Sequence, residues 1–370
     1  MSLITINSAQ KLIKSEVSKF ASTQIETAAS DMERDGCIPS GILQKISQMG
    51  LFGLIIPEDY GGSGLDVTSL CIALEELAKS CASLAMTVAV NNCLVNYPVI
   101  RYGSAEVKKA YLNKIAGGSI GGYAPVSDIE VVGRECVLES DGACRYISNR
   151  YDIVLNSALA DFFIIPVKSD QGVSLFLIDK GMQGMNSYAV STMGLRSAGI
   201  AGLEFKHSEL KTGMCLVTAE SGQQAIQSVL DYAHIGFSAV ALGLMQASLA
   251  SSVKYAKERK QFGRSIAEFP MVQEMLAEMK IEVEKARLLI YEAASRFDAD
   301  EEYRTIARIA CLSSCEGAVK IGLNAIQVHG GYGYVKDYPV ERYFRDAKSL
   351  QLLGESPPEM RLRIAKEILL

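Results

Sequence analysis

Tryptophan is missing from this chain altogether, and histidine is nearly so, with only His207, His234 and His329. Three scattered imidazoles and nine cysteines that form no CxxC pair give poor support to a metal site. Cys311 and Cys315 fall four apart on one helical face but lack further ligands. An odd number of cysteines without a framework reads as reduced, mostly buried thiols in a cytoplasmic protein. A basic face is also lacking. The net charge is -5, and clusters such as 257–264 are short and interrupted by acids, which excludes a nucleic-acid partner. The first residues carry lysines through an amphipathic pattern and do not form a signal peptide. The run 235–253 is free of charge for close to the length of a membrane span. Its serines and alanines, with Asp231 and Lys254 flanking, favour a helix buried on all sides in a bundle over a span.

What is present is a long, half-apolar chain of 370 residues, enough for several subdomains. Residues 1–117 read as helices, with Ile42, Ile46 and Met49 at helical spacing. A glycine-rich turn, 57–66, interrupts them. Across 118–218 glycine, serine and aspartate increase. Short β-rich runs appear at 145–148, 151–155, 162–167, 173–178 and, more weakly, 202–205. Helical patterns return across 219–370: one over 223–260, one stepping by three and four from Val272 to Ala293, and one over 303–326. The expected class is α+β: a helical domain, a small β-barrel or sandwich, and a C-terminal four-helix bundle.

Two stretches stand out chemically. In the first, His329-Gly330-Gly331 and Tyr332-Gly333 allow close approach of a ligand, and an apolar run, 350–353, leads to Gly354, Glu355, Ser356 and two prolines. A glutamate on such a stiff turn is either desolvated and raised toward a useful base, or a solvated loop residue. In the second, Arg259, Lys260, Phe262 and Arg264 make a basic turn with an aromatic ring between long helices. That turn is either a seat for a diphosphate and a stacked base or a solvated helix connection.

Both stretches resemble signatures of the acyl-CoA dehydrogenase family. Gln327, Gly330, Gly331, Gly333 and Tyr334, then Arg345-Asp346-Ala347-Lys348, match its Q-x-x-G-G-x-G-Y and R-D-A-K segments. Glu355 to Met360 resembles an E-G-S-S-E-M variant found in members acting on carrier-tethered units. Tyr255 to Gly263 matches Y-A-x-E-R followed by R-x-x-F-G, 51–66 closely matches an N-terminal string of the family, and Met193 to Ser197 resembles M-G-x-R-(G/S)-S. The resemblance spans essentially the whole chain. It implies FAD-dependent α,β-dehydrogenation of an acyl thioester on CoA or a carrier protein, with Glu355 as the base. It assigns Arg259, Phe262, Gln327 and Gly331 to FAD held mainly by a neighbouring subunit, and hence a homo-oligomer, a tetramer or dimer. It implies an electron-transfer flavoprotein as the usual electron acceptor. Asp231 and His234 occupy the D-x-x-R position beside the thioester arm, with histidine in place of arginine. A subset of the family places its base one residue earlier, where this chain has Ala233.

The departures gather around the flavin ring. The (T/S)-E-P-x-x-G-S-D loop shrinks to 123–128, leaving Ser127 as its remaining polar contact. W-I-T-N becomes Val154-Leu155-Asn156-Ser157, with Asn156 as the polar candidate, and Phe269 is followed by proline where glutamine is usual. Leu350, Leu352 and Leu353 are expected to close the pocket and exclude water. Two alternatives accompany this reading. One is a flavin monooxygenase or oxidase of the same fold. The other is a non-redox thioester-binding homologue.

Overall fold

The N-terminal helices begin from caps that their sequence supplies. In the computed structural model, which describes residues 6–125, 137–141, 144–352 and 355–369, Asn7 and Gln10 form a reciprocal capping box on α1 (Ser8–Phe20). A π-turn leads into α2 (Glu26–Asp35), which stops at left-handed Gly36, and α3 (Ser40–Gln48) follows. Two carboxylates cap α4 (Val67–Ser80). Asp66 accepts the Ser69 N–H at 2.7 Å, and Asp298, from the far end of the chain, accepts the Val67 and Thr68 N–H groups at 2.8 and 3.0 Å. After α5 (Ala82–Ala89) comes a π-helical stretch, Val90–Asn96. Its three buried asparagines donate to the Leu51 and Phe52 carbonyls and so fix the loop before α4. Two further helices, α6 (Tyr97–Tyr102) and α7 (Ala105–Ala116), close this region.

The middle region is a sandwich of two four-stranded sheets. Among the described residues eight strands contribute: β1 (Gly121–Tyr123), β2 (Val137–Asp141), β3 (Cys144–Val154), β4 (Phe162–Ser169), β5 (Gly172–Asp179), β6 (Met185–Ala189), β7 (Ala201–Leu210) and β8 (Cys215–Val217). One sheet runs β1-β4-β5-β8 with β1 parallel to β4; the other runs β2-β3-β7-β6 and is antiparallel. Alternate residues of both, among them Ile147, Leu203 and Phe205 from one and Phe163, Ile165 and Ile178 from the other, share one apolar core. The runs read as separate at 145–148 and 151–155 are one strand, β3, whose register shifts between Ile147 and Asn149.

The C-terminal region is built on α8 (Ala219–Glu258), a helix of 40 residues. A two-strand hairpin, β9 (Lys260–Gln261) and β10 (Arg264–Ser265), turns the chain into α9 (Pro270–Asp298), which starts with proline at its first position. Then follow α10 (Arg304–His329), α11 (Val340–Leu350) and α12 (Pro357–Leu369). Among the described residues three helices could cross a membrane by length and composition, but 83% of the apolar window of α8 is buried inside the protein. Its charge-free run lies within the bundle, where its apolar surface is covered by neighbouring helices.

Candidate active site

Around Glu355 three helices converge, α8, α10 and α12. The residue lies just before α12, and its side chain is 3% exposed, so the solvated alternative does not describe it. One turn apart on α8, Asp231 and His234 face the same space: His234 Nε2 lies 3.7 Å from Glu355 Oε2, and Nδ1 lies 4.0 Å from Asp231 Oδ1. Burial, reinforced by the Arg308 and Arg363 charges, pushes His234 down to about 3, so its imidazole is neutral at neutral pH. It therefore does not replace the charge of the arginine that the family pattern has at this position.

Positive charge arrives instead from α10 and α12. Arg308 is 3% exposed and donates from Nη2 to Asp231 at 2.7 Å, with Glu367 on its other amino group. Arg363 ion-pairs directly with Glu355. Neither Glu355 oxygen accepts a well-directed hydrogen bond. Burial raises its pKa, and although the Arg363 and Arg308 charges pull the other way, the result is upward. Asp231, Arg308 and Arg363 line an open cavity of about 640 Å³, with Arg304, Lys366 and Gln227 on its walls. Sequence reasoning missed Arg308 and Arg363. The available signal was Arg308 itself, a charge between apolar residues of a helical pattern, facing Asp231 of α8.

A second cleft, of about 880 Å³, forms where the end of α8 meets the end of α10. Here the structure brings Arg259, Gln327 and Gly331 together, among Tyr255, Tyr332 and Tyr338. The Arg259 guanidinium sits 5.5 Å from the centre of the Tyr332 ring, and a Cβ at Gly330 or Gly331 would meet nothing within 4 Å. A cation, aromatic rings and a glycine backbone that a ligand can approach closely fit the adenine and diphosphate half of a dinucleotide. Phe262 does not line this cleft. At the hairpin tip it holds φ +51 and is 92% exposed, its ring edge-on to Phe269 at 6.3 Å.

The remaining candidates lie apart. Asn156 is buried in a left-handed conformation, and its amide donates to the Thr87 and Gly121 carbonyls, so it braces the chain internally. Ser127 falls outside the described residues, as do Leu353 and Gly354. The leucine run does not close a pocket as expected: Leu350 is in the core, whereas Leu352 is 71% exposed. α11 ends at Leu350, so Leu352 lies past the helix, while Gln351 between them remains buried.

Residues 7–119 match the description "Acyl-CoA dehydrogenase, N-terminal domain", and residues 220–369 match "Acyl-CoA dehydrogenase, C-terminal domain". A short-chain specific acyl-CoA dehydrogenase of Clostridium acetobutylicum is 31% identical over 97% of both chains. The chain belongs to the acyl-CoA dehydrogenase family. It is thus an acyl-CoA dehydrogenase-like flavoprotein oxidoreductase, with the family's helical, β and helical domains in order. Among solved members, butyryl-CoA dehydrogenase of Megasphaera elsdenii superposes with a TM-score of 0.94 at 25% identity, covering 99% of this chain and 100% of that one. The prolyl acyl carrier protein oxidase AnaB superposes at 0.93 with 27% identity and the same coverage.

Proposed function

We propose that this protein introduces an α,β double bond into an acyl thioester, with Glu355 as the base that takes the α-proton. The observation that carries this reading is the state of Glu355: a carboxylate 3% exposed, ion-paired to Arg363 of the cavity wall, with its pKa raised by burial. A thioester α-proton is weakly acidic, and a desolvated carboxylate raised toward neutrality is a better match for it than a solvated one. The electron pair left at Cα becomes part of the new double bond as the β-hydrogen departs with its own pair. Neutral His234 adds no counter-charge that would weaken the base. Arg259, Gln327 and Gly331 would hold the adenine and diphosphate half of FAD, and Phe262, strained and exposed, would meet that cofactor or a neighbouring subunit in a homo-oligomer. When bound, FAD supplies the acceptor for the departing hydride. The thioester is carried by CoA or by a carrier protein, relatives of both kinds being known by name, and an electron-transfer flavoprotein is the expected re-oxidant.

The deciding experiment is the visible spectrum of the purified protein before and after anaerobic addition of a panel of acyl-CoA and acyl-carrier thioesters. A flavin band that bleaches with one member, about 10²–10⁴-fold more slowly in Glu355→Gln, is the expected result. A colourless protein that cannot be reconstituted with FAD would overturn it and favour the non-redox thioester binder. Oxygen consumption coupled to oxidation of a substrate and unaffected by Glu355→Gln would favour the monooxygenase or oxidase.

A further inference from the structure

A base that must be ionised before it can act is, at Glu355, buried and without a well-directed hydrogen bond. Left alone, such a carboxylate would take up a proton and remain neutral. The charged and titratable groups that face it are few. From α8 come Asp231 and the neutral His234; from α10 come Arg308 and the buried thiol of Cys311; from α12 come Glu359 and Arg363. Arg308 is committed to Asp231 and Glu367. Glu359 turns back to accept from the Ser356 N–H at 2.7 Å and from its hydroxyl at 2.6 Å. Among the described residues only Arg363, eight positions and two helical turns along, places a cation on the carboxylate.

We infer that Arg363 is a positioning residue for the base, holding Glu355 ionised and turned toward His234 before substrate enters. The inference rests on the dehydrogenase reading for its purpose, though not for its geometry. Arg363 is 35% exposed on the cavity wall. Its charge is therefore screened enough to ionise the acid without trapping it, and burial still leaves Glu355 raised. The acid and its partner both sit at the start of α12, one just before it and one two turns in, so folding that helix assembles the pair.

The test is an infrared titration of the full chain as purified, following the protonated-carboxyl stretch that disappears in Glu355→Gln. In Arg363→Gln the midpoint should rise by about 1–3 pH units. Arg363→Lys should restore most of the difference. Lys366→Gln removes a cation from the same cavity without touching the acid, and should move the midpoint by much less. Arg363→Met keeps the apolar stem and replaces the glutamine variant should that fail to fold. An unmoved midpoint in Arg363→Gln or Arg363→Met would overturn the assignment. So would an equal rise in Lys366→Gln, since the cavity's general field would then explain the effect. The titration needs no turnover, so a thioester panel that fails to react leaves this result standing, and the reverse also holds.

Discussion

Asp346 shows how a single side chain joins distant parts of this chain. It is 3% exposed and accepts the Leu195 N–H at 2.6 Å, while Ser349 and Arg345 on the same helix bond to Gly194 and Met193. Gly194 must be glycine, because a Cβ there would lie 2.3 Å from the Arg345 carbonyl. Burial pushes Asp346 up to about 7; the Leu195 hydrogen bond opposes the shift, and Glu33 adds to it. A folded-state pKa above the unfolded value means that the stabilising contribution is complete below about pH 4 and is lost as pH rises through 7. Asp346→Asn keeps an acceptor for Leu195 and removes the titration. Its melting temperature should fall less between pH 5 and pH 8 than that of the wild type, with a difference in stability on the order of 3 kcal/mol between the two chains. Parallel pH curves would refute this. The R-D-A-K match was legible as a motif. The loop it grips, some 150 positions earlier, was not, because nothing in either segment alone encodes the contact.

At the scale of elements, one buried acid ties α4 to α8 and α9. Glu75 is 2% exposed, and its carboxylate receives Gln246 at 2.8 Å, Arg287 at 2.9 Å and the Tyr291 hydroxyl at 2.6 Å. Burial alone would raise its pKa, but Arg287, Tyr291 and Gln246 together hold it below the usual carboxylate range. Glu75→Ala would leave three donors facing an apolar interior and should cost about 3–5 kcal/mol in denaturant unfolding. Pairing it with Tyr291→Phe should cost less than the sum of the two single changes, whereas strict additivity would deny the network. The long helices were legible because apolar residues such as Met279, Val283, Ala286 and Ile290 repeat at helical spacing and are buried. The strands were legible only where they were apolar on a sheet face. Gly121–Tyr123 and Cys215–Val217 are too short to show a period, and Met185–Ala189 presents mostly polar or partly exposed residues. The ion pairs of Arg308 and Arg363 were hidden for a related reason: a charged residue in a helix reads as solvent-facing until its neighbours are known.

For the whole molecule, the order of helical, β and helical domains followed from changes in sequence texture, and the signatures at its two clefts supplied the family. How the clefts relate to each other depends on α8, which carries Asp231 and His234 near its start and Tyr255 and Arg259 at its end. At the usual rise, the 25 residues from His234 to Arg259 span roughly 35 Å. A single dinucleotide would not bridge that length, so under the proposed function α8 would act as a spacer bar between two half-sites serving different cofactor molecules. In an assembly of identical chains the acid of one subunit would then work with the anchor of another, and lesions at the two ends should complement. Neither Glu355→Gln nor Arg259→Glu alone should turn over thioester at the wild-type rate. Mixed and reassembled, they should regain part of it, because some interfaces reunite an intact acid with an intact anchor. Activity no greater than the sum of the separate variants would mean that each chain is sufficient for itself.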